Sequence, residues 1–374
     1  MVKDTKKTIQ IKASKGLFLA DIHLGVRSSS EEWQDNIRSY FFDWFIPYVK
    51  SLLNDSPNDY FLAVLGDVYD DRKSIDINVN ELAIDIFETL GQLLPVYIIN
   101  GNHDLSKKTN KGNTSLRSLS NIPGVTVVKY PTLIHIKPAT KILSKIIAIP
   151  YLGSHEEENK VLLDYSGKVD YAWMHTDISQ MKFDNGMTIV GAVDAKIFKG
   201  DILSGHIHKR QELENVVYIG CPYQLKRSDI GNTKGVYSID FNTKDMYFTE
   251  NDFSPIFHKI RVEDFLKLSV KDRDIFLNNN YNDIIIDETD LRKYKTGNIY
   301  DMASLSNAKR VQIVVNKAHH ELEVLPDGNY VELSLEQLIN DSIWQLDVDD
   351  ETKERLKNIS REMLKQAEQE LTEI

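Results

Sequence analysis

Five times along this chain a short apolar run stops abruptly at residues able to bind metal or phosphate. Gly16-Leu-Phe-Leu-Ala20 runs into Asp21-Ile-His23, Phe61-Leu-Ala-Val-Leu65 into Gly66-Asp67, and Pro95-Val-Tyr-Ile-Ile99 into Asn100-Gly-Asn-His-Asp104. Asp170-Tyr-Ala-Trp-Met174 ends at His175, and Asp201-Ile-Leu203 leads into Ser204-Gly-His-Ile-His208. Runs this short, bounded by Gly, Asn and Asp, predict buried strands. Between them, apolar spacing predicts a helix from about Glu32 to Leu53, kinked or interrupted by Pro47, and a second through Leu82, Ile86, Phe87 and Leu90. The alternation predicts a layered α/β fold with a largely parallel core. In such sheets ligands bind just past the carboxyl ends of the strands.

Further strands are expected within residues 144–151, 216–219, 235–239 and 246–249. The texture changes at Asp252-Phe-Ser-Pro255, so residues 1–255 are expected to form the catalytic domain. Residues 256–333 read as a small accessory α+β domain, with strands at 283–286 and 311–315 and a hairpin around Pro326-Asp-Gly-Asn329. From Ser334 the chain reads as helical, with Leu356, Ile359, Met363, Ala367 and Leu371 forming one apolar stripe.

At 374 residues, with 41% hydrophobic and 27% charged, the chain is globular and long enough for two or three domains. One cysteine excludes an internal disulfide and a cysteine-based zinc finger. The lysine-rich start does not read as a secretory signal, and no apolar run approaches the ~20 residues of a membrane span. A soluble cytoplasmic protein is expected. The net charge of −11 excludes a surface that grips nucleic acid everywhere. It is unevenly spread: residues 1–255 carry 29 Lys/Arg against 32 Asp/Glu (−3), and residues 256–374 carry 16 against 24 (−8). Within residues 101–150, eight basic residues face one acid. Lys107, Lys108, Lys111 and Arg117 there are candidates to hold a phosphate backbone, or are simply a solvated basic loop.

Imidazole nitrogen with carboxylate oxygen suits divalent transition metals, and the set is sufficient for two ions. One would take Asp21, His23 and His208; the other Asn102, His175 and His206; Asp67 would bridge them. Such a pair of ions, about 3.5–4 Å apart, activates water and neutralises charge on phosphate oxygens. His103 remains outside the ligand count and is expected to act on the transition state or the leaving oxygen, with Asp104 either orienting it or capping the next helix. Glycines 66, 101 and 205 are expected to let the backbone turn sharply beside the metals.

Asp-x-His, Gly-Asp-x-x-Asp, Gly-Asn-His-Asp, a later His and Gly-His-x-His resemble the calcineurin-like metallophosphoesterase superfamily. Asp21-Ile-His-Leu-Gly25, Gly66-Asp-Val-Tyr-Asp-Asp-Arg72 and Tyr218-Ile-Gly-Cys-Pro-Tyr-Gln-Leu225 resemble, more narrowly, SbcD-type DNA-repair nucleases, especially the small recombination-endonuclease subunits of T-even-like phages. The resemblance covers about residues 16–250. It implies a two-layer β-sandwich flanked by helices, Mn2+-dependent exonuclease and endonuclease activity, and the same seven ligands with His103 as the catalytic residue. Mg2+, Fe2+ or Zn2+ are the other candidate metals. It further implies an SbcC-type ABC ATPase partner, whose coiled coil the C-terminal helix would dock, and a homodimer, for which residues 33–45 offer an apolar face. The same helix and face serve equally for packing within the chain. Relatives differ at Asp70, whose role stays open. A phosphomonoesterase with the same metal site and a non-catalytic DNA-tethering subunit are the competing functions.

Overall fold

A computed structural model of the chain describes residues 8–106, 113–287, 290, 293–294, 308–316, 343 and 352–361. Two compact units emerge, residues 1–286 with 291–315, and residues 287–290 with 316–374.

The first unit is built on two sheets packed face to face. One has six strands in the order Asp245–Glu250, Gly235–Asp240, Lys15–Leu19, Tyr60–Leu65, Val96–Ile99, Val125–Val128. The last four are mutually parallel, as the β–loop–α rhythm requires. The other has seven, in the order Ile9–Ile11, Thr132–Ile136, Ser144–Ile149, Tyr171–His175, Asp201–Gly205, Val216–Tyr218, Gln211–Leu213. The predicted two-layer β-sandwich flanked by helices is therefore the fold. The apolar runs are continuous because both faces of each sheet are covered. In Lys15–Leu19, Phe18 points between the sheets while Leu17 and Leu19 face helices. Tyr171 and Trp173 likewise point inward, and Ala172 and Met174 pack beneath the helix His155–Tyr165 and the loops around it. Trp173 sits at the centre of the sandwich, with its ring edge-on to Phe18 at 5.5 Å and 5.9 Å from Phe61.

The first predicted helix is one continuous rod in three parts, Glu31–Ser39, a π-helical stretch Tyr40–Phe45, and Ile46–Asp55. Pro47 does not break it. The N–H of Ile46 reaches back to Phe41, a wider turn than in an α-helix. That widening supplies the slack a ring without an N–H needs. Trp33, Ile37, Phe41 and Phe45 stay on one face, fully engaged in the core. The apolar face considered for dimerisation is thus covered within the chain. The helix Ile77–Leu93 is capped by Asp76, which accepts from Asn78 N and Val79 N.

A third sheet, in the order Phe257–Arg261, Tyr281–Asp287, Arg310–Asn316, packs over Val262–Lys267 and Val270–Leu277 around Phe265, Leu277 and Ile284. It is joined to the first helix by a stack in which Tyr281 lies 5.4 Å from Trp33 and 5.0 Å from Phe257. In the second unit, residues 352–361 are helical. The expected hairpin around Pro326 lies outside the described residues, as do Met363, Ala367 and Leu371 of the expected apolar stripe. No described helix is long and apolar enough to cross a membrane.

Candidate metal centre

The carboxyl ends of the parallel strands from both sheets meet at one edge of the sandwich, and there the predicted residues converge. Asp21, His23 and His208 offer ligand atoms all within 4.8 Å of one another, and so do Asp67, His175 and His206. His23 Nε2 lies 2.9 Å from His208 Nε2. Asn102 Oδ1 lies 2.9 Å from both His175 Nε2 and His206 Nδ1. Asp67 Oδ2 stands between the clusters, 3.2 Å from His175 Nε2 and 3.9 Å from His23 Nε2. One carboxylate oxygen thus faces both groups, while Oδ1 accepts from the backbone N–H of His103 at 2.7 Å.

The ring contacts fix which nitrogens carry lone pairs. His175 Nδ1 donates to the Leu65 carbonyl at 2.7 Å, so its Nε2 lone pair points into the cluster. Asp70 Oδ1 stands 2.9 Å from His23 Nδ1, and Asp177 Oδ1 stands 3.1 Å from His206 Nε2. Neither approach is aligned as a full hydrogen bond, yet each favours the proton on the nitrogen facing away from the cluster. With its oxygen inward, Asn102 faces only acceptors; reversed, its amide would donate to both rings and accept from Arg72 Nη2. Lone pairs aimed at one another in a buried site are repulsive unless a cation lies among them. The donor set therefore fits two divalent metals.

Without an ion, a proton on His175 Nε2 takes the place of the cation at Asp67. Burial opposes ionisation of Asp67, but the charge and hydrogen bond of His175 hold its carboxyl far below the usual range. Burial also opposes a charge on His175, and Asp67 overrides it, lifting the imidazole to about 9. Burial raises Asp21 and, with His23 beside it, depresses His208. Such a cluster of opposed shifts marks a functional site.

The backbone is strained at the same place. Asp21, His23, Asp67 and His206 have φ of 54°, 51°, 53° and 93°. Each left-handed non-glycine costs on the order of 1–3 kcal/mol, retained where geometry matters. Of the three glycines, only Gly66 turns through positive φ, at 88°. Gly101 and Gly205 are needed for close approach instead. A Cβ on Gly101 would overlap Asp67, and one on Gly205 would overlap the Leu65 carbonyl.

His103 stands at the rim, half-buried, with Nδ1 2.5 Å from the Asp70 carbonyl and its ring 5.0 Å from that of His23. Burial lowers its pKa. Asp104 does not orient it. Its buried carboxylate accepts instead from the N–H groups of Asp67, Val68, Tyr69 and Gly101 at 2.9–3.3 Å, clamping the two ligand loops together. Burial and the charge of Asp67 push Asp104 up to about 7.

Sequence reading missed the residues behind the ligands: Asp70 as the partner of His23, Asp177, and Glu158, which ties Thr176 to Leu152 N. The spacing Gly-Asp-x-x-Asp and the position of Asp177 two after His175 were the available signals. The segment Gly220–Leu225 supports the site from below: Tyr223 Oη donates to Ile22 O at 2.6 Å, and Cys221 N to His208 O at 3.1 Å. His135, His155 and His258 lie on other elements, outside these clusters. Of the proposed DNA contacts, Arg117 is exposed in the turn Ser115–Arg117. Lys107, Lys108 and Lys111 lie outside the described residues, as do His319 and His320.

Residues 15–338 match the calcineurin-like phosphoesterase family. Exonuclease subunit 1 of Enterobacteria phage T4 is 29% identical over 69% of this chain and 76% of its own length. An uncharacterized protein of Acanthamoeba polyphaga mimivirus is 24% identical over 78% of this chain and 22% of its own. A nuclease structure from Pseudomonas putida aligns at a TM-score of 0.26 and 14% identity, covering 63% of this chain and 87% of that one.

Proposed function

Because this chain belongs to the calcineurin-like phosphoesterase family, we propose that it is a metal-dependent DNA nuclease subunit, hydrolysing phosphodiester bonds in DNA end processing, recombination and repair. The observation that carries the reading is the pair of ligand clusters sharing Asp67 Oδ2. Asp21, His23 and His208 would hold one ion, Asn102, His175 and His206 the other, with Mn2+ as the preferred metal. When bound, the ions supply activated water and charge neutralisation at the scissile phosphate. The chain's own residues do the rest. Asp70, Asp177 and the Leu65 carbonyl keep the ligand nitrogens deprotonated. Asp104 locks the Asp67 and Asn102 loops. His103, with Nδ1 engaged by the Asp70 carbonyl, presents Nε2 to hold or pass a proton at the leaving oxygen.

DNA as the substrate is supported by similarity to the phage exonuclease subunit and by the basic residues after Asp104. Residues 1–255 form the nuclease domain in this proposal and residues 256–333 the accessory domain. Residues 334–374 dock the coiled coil of an SbcC-type ATPase, and the complex acts as a homodimer in the cytoplasm of a bacterial or phage-infected cell. A phosphomonoesterase with the same metal site is the second reading.

Incubation with Mn2+ and linear duplex DNA, in parallel with p-nitrophenyl phosphate, tests the choice. Nuclease activity that falls at least a hundredfold in His103→Ala is expected. Monoesterase activity alone would favour the second reading, and DNA binding without either activity would leave a tethering subunit.

A further inference from the structure

Behind His208 lies an ion pair that the chemistry does not consume. The main-chain carbonyl of His208 accepts from Lys234 Nζ at 2.6 Å. Lys234 is 5% exposed, and its ammonium also meets Asp229 Oδ1 at 2.8 Å. Asp229 is equally buried, and its second oxygen accepts from Leu225 N at 2.9 Å and Lys226 N at 3.1 Å. A buried ammonium is costly unless paired and hydrogen-bonded, so each partner has one low-energy position. His208 therefore has its carbonyl fixed from one side while its ring faces His23 on the other.

Asp229 closes the short turn Arg227–Asp229, and the opposite end of that turn leads elsewhere. The Arg227 guanidinium donates to both oxygens of Asp283, at 2.5 and 2.9 Å, and to Gln312 Oε1 at 2.9 Å. Asp283 lies on Tyr281–Asp287 of the third sheet, and Gln312 on Arg310–Asn316. One turn thus holds the third sheet with its first residue and the backbone of His208, through Lys234, with its last.

We propose that Lys234, Asp229 and Arg227 are positioning residues that set His208 as a metal ligand and couple the affinity of its metal site to the third sheet. This rests on His208 holding a metal, as in the proposed function. A shift of the third sheet would pull on Arg227, move the turn, and withdraw Lys234 from the His208 carbonyl, leaving Cys221 N as its remaining donor. The other cluster, of Asn102, His175 and His206, receives no bond from this turn or from Lys234.

Mn2+ binding to the full-length chain, followed by calorimetry and by electron paramagnetic resonance, tests the proposal. Lys234→Met combined with Asp229→Asn removes both charges at nearly constant volume. The site containing His208 should weaken by about 10–100-fold, as is typical when a group supporting a ligand is lost. The second site should stay within twofold of wild type, and the signal of paired Mn2+ should give way to that of single ions. Asp283→Asn, remote from the metals, should weaken the same site several-fold. It should add nothing in the combined variant, because both act through one turn. Equal weakening of both sites, or two-site binding as in wild type by folded variants, overturns the proposal. Should the double variant fail to fold, Asp283→Asn alone decides. Wild-type chain that binds no Mn2+ refutes the proposed function instead.

Discussion

Asp70 shows how a single residue can serve two rings at once. Its side chain stands at His23 Nδ1 and its carbonyl at His103 Nδ1, so one residue orients two rings by separate atoms. Removing the side chain leaves the carbonyl in place, which separates the two duties. Asp70→Ala should weaken Mn2+ binding roughly 10–100-fold, since His23 is then free to carry its proton on Nε2 and turn its lone pair outward. Asp70→Asn keeps an acceptor oxygen and should recover most of the affinity. Calorimetric Mn2+ titration of both variants measures this, and equal loss in the two would mean that the charge, not the tautomer, is what counts. The seven candidate ligands were legible as a group because each closes an apolar run, and the fold brings them to one edge, where chemistry concentrates. Asp177 and Lys234 were not legible as partners. Their roles depend on which loops the fold brings together, and Lys234 lies 26 residues from the carbonyl it holds.

Sheets bring those loops together, and their mutual packing is a property of whole elements. Strand-by-strand alternation sends Phe18, Phe61 and Trp173 to a common interior while neighbours on the same strands face helices. Trp173 lies two residues before His175, so the residue that fills the sandwich also fixes the strand that presents this candidate ligand. Trp173→Ala should cost about 3–5 kcal/mol of stability, read as a lowered denaturation midpoint. Trp173→Phe should cost less than half of that. A loss below 1 kcal/mol in the alanine variant would show that the sheets do not close on this side chain. The long apolar runs disclosed the central strands, but Ile9–Ile11, Val125–Val128 and Thr132–Ile136 escaped notice, being short or interrupted by polar residues at sheet margins. Pro47 misled for a related reason. Its effect on a helix depends on whether the preceding turn can widen, and the packing of Tyr40 through Phe45 decides that.

For the whole molecule, the decisive quantity is where charge lies relative to the metal centre. Eight of the eleven net negative charges belong to residues 256–374, and residues 101–150 alone carry a net +7. The two ends of the lysine-bearing stretch are described: Ser106 N donates to Asn113 O at 3.3 Å, and Leu105 bridges to Thr114. Asp104, one residue before that closure, is clamped to the Asp67 loop. Ser106 and Asn113, the described residues on either side, therefore stand close to the loop of Asp104, and Arg117 is exposed three residues beyond Thr114. In the proposed function Lys107, Lys108, Lys111 and Arg117 hold a phosphate backbone while reading no base. Each phosphate contact releases counterions, contributing about 0.9 to the slope of log affinity against log salt on duplex DNA. Replacing all four by alanine should reduce that slope by up to about 3.6 and weaken binding most at low salt, with Mn2+ binding unchanged. Fluorescence anisotropy of labelled duplex across a salt series measures both quantities. A slope equal to wild type would place the DNA on another face, whereas a reduced slope with intact metal binding would show that the strongly acidic chain grips its substrate through one basic loop beside its metals.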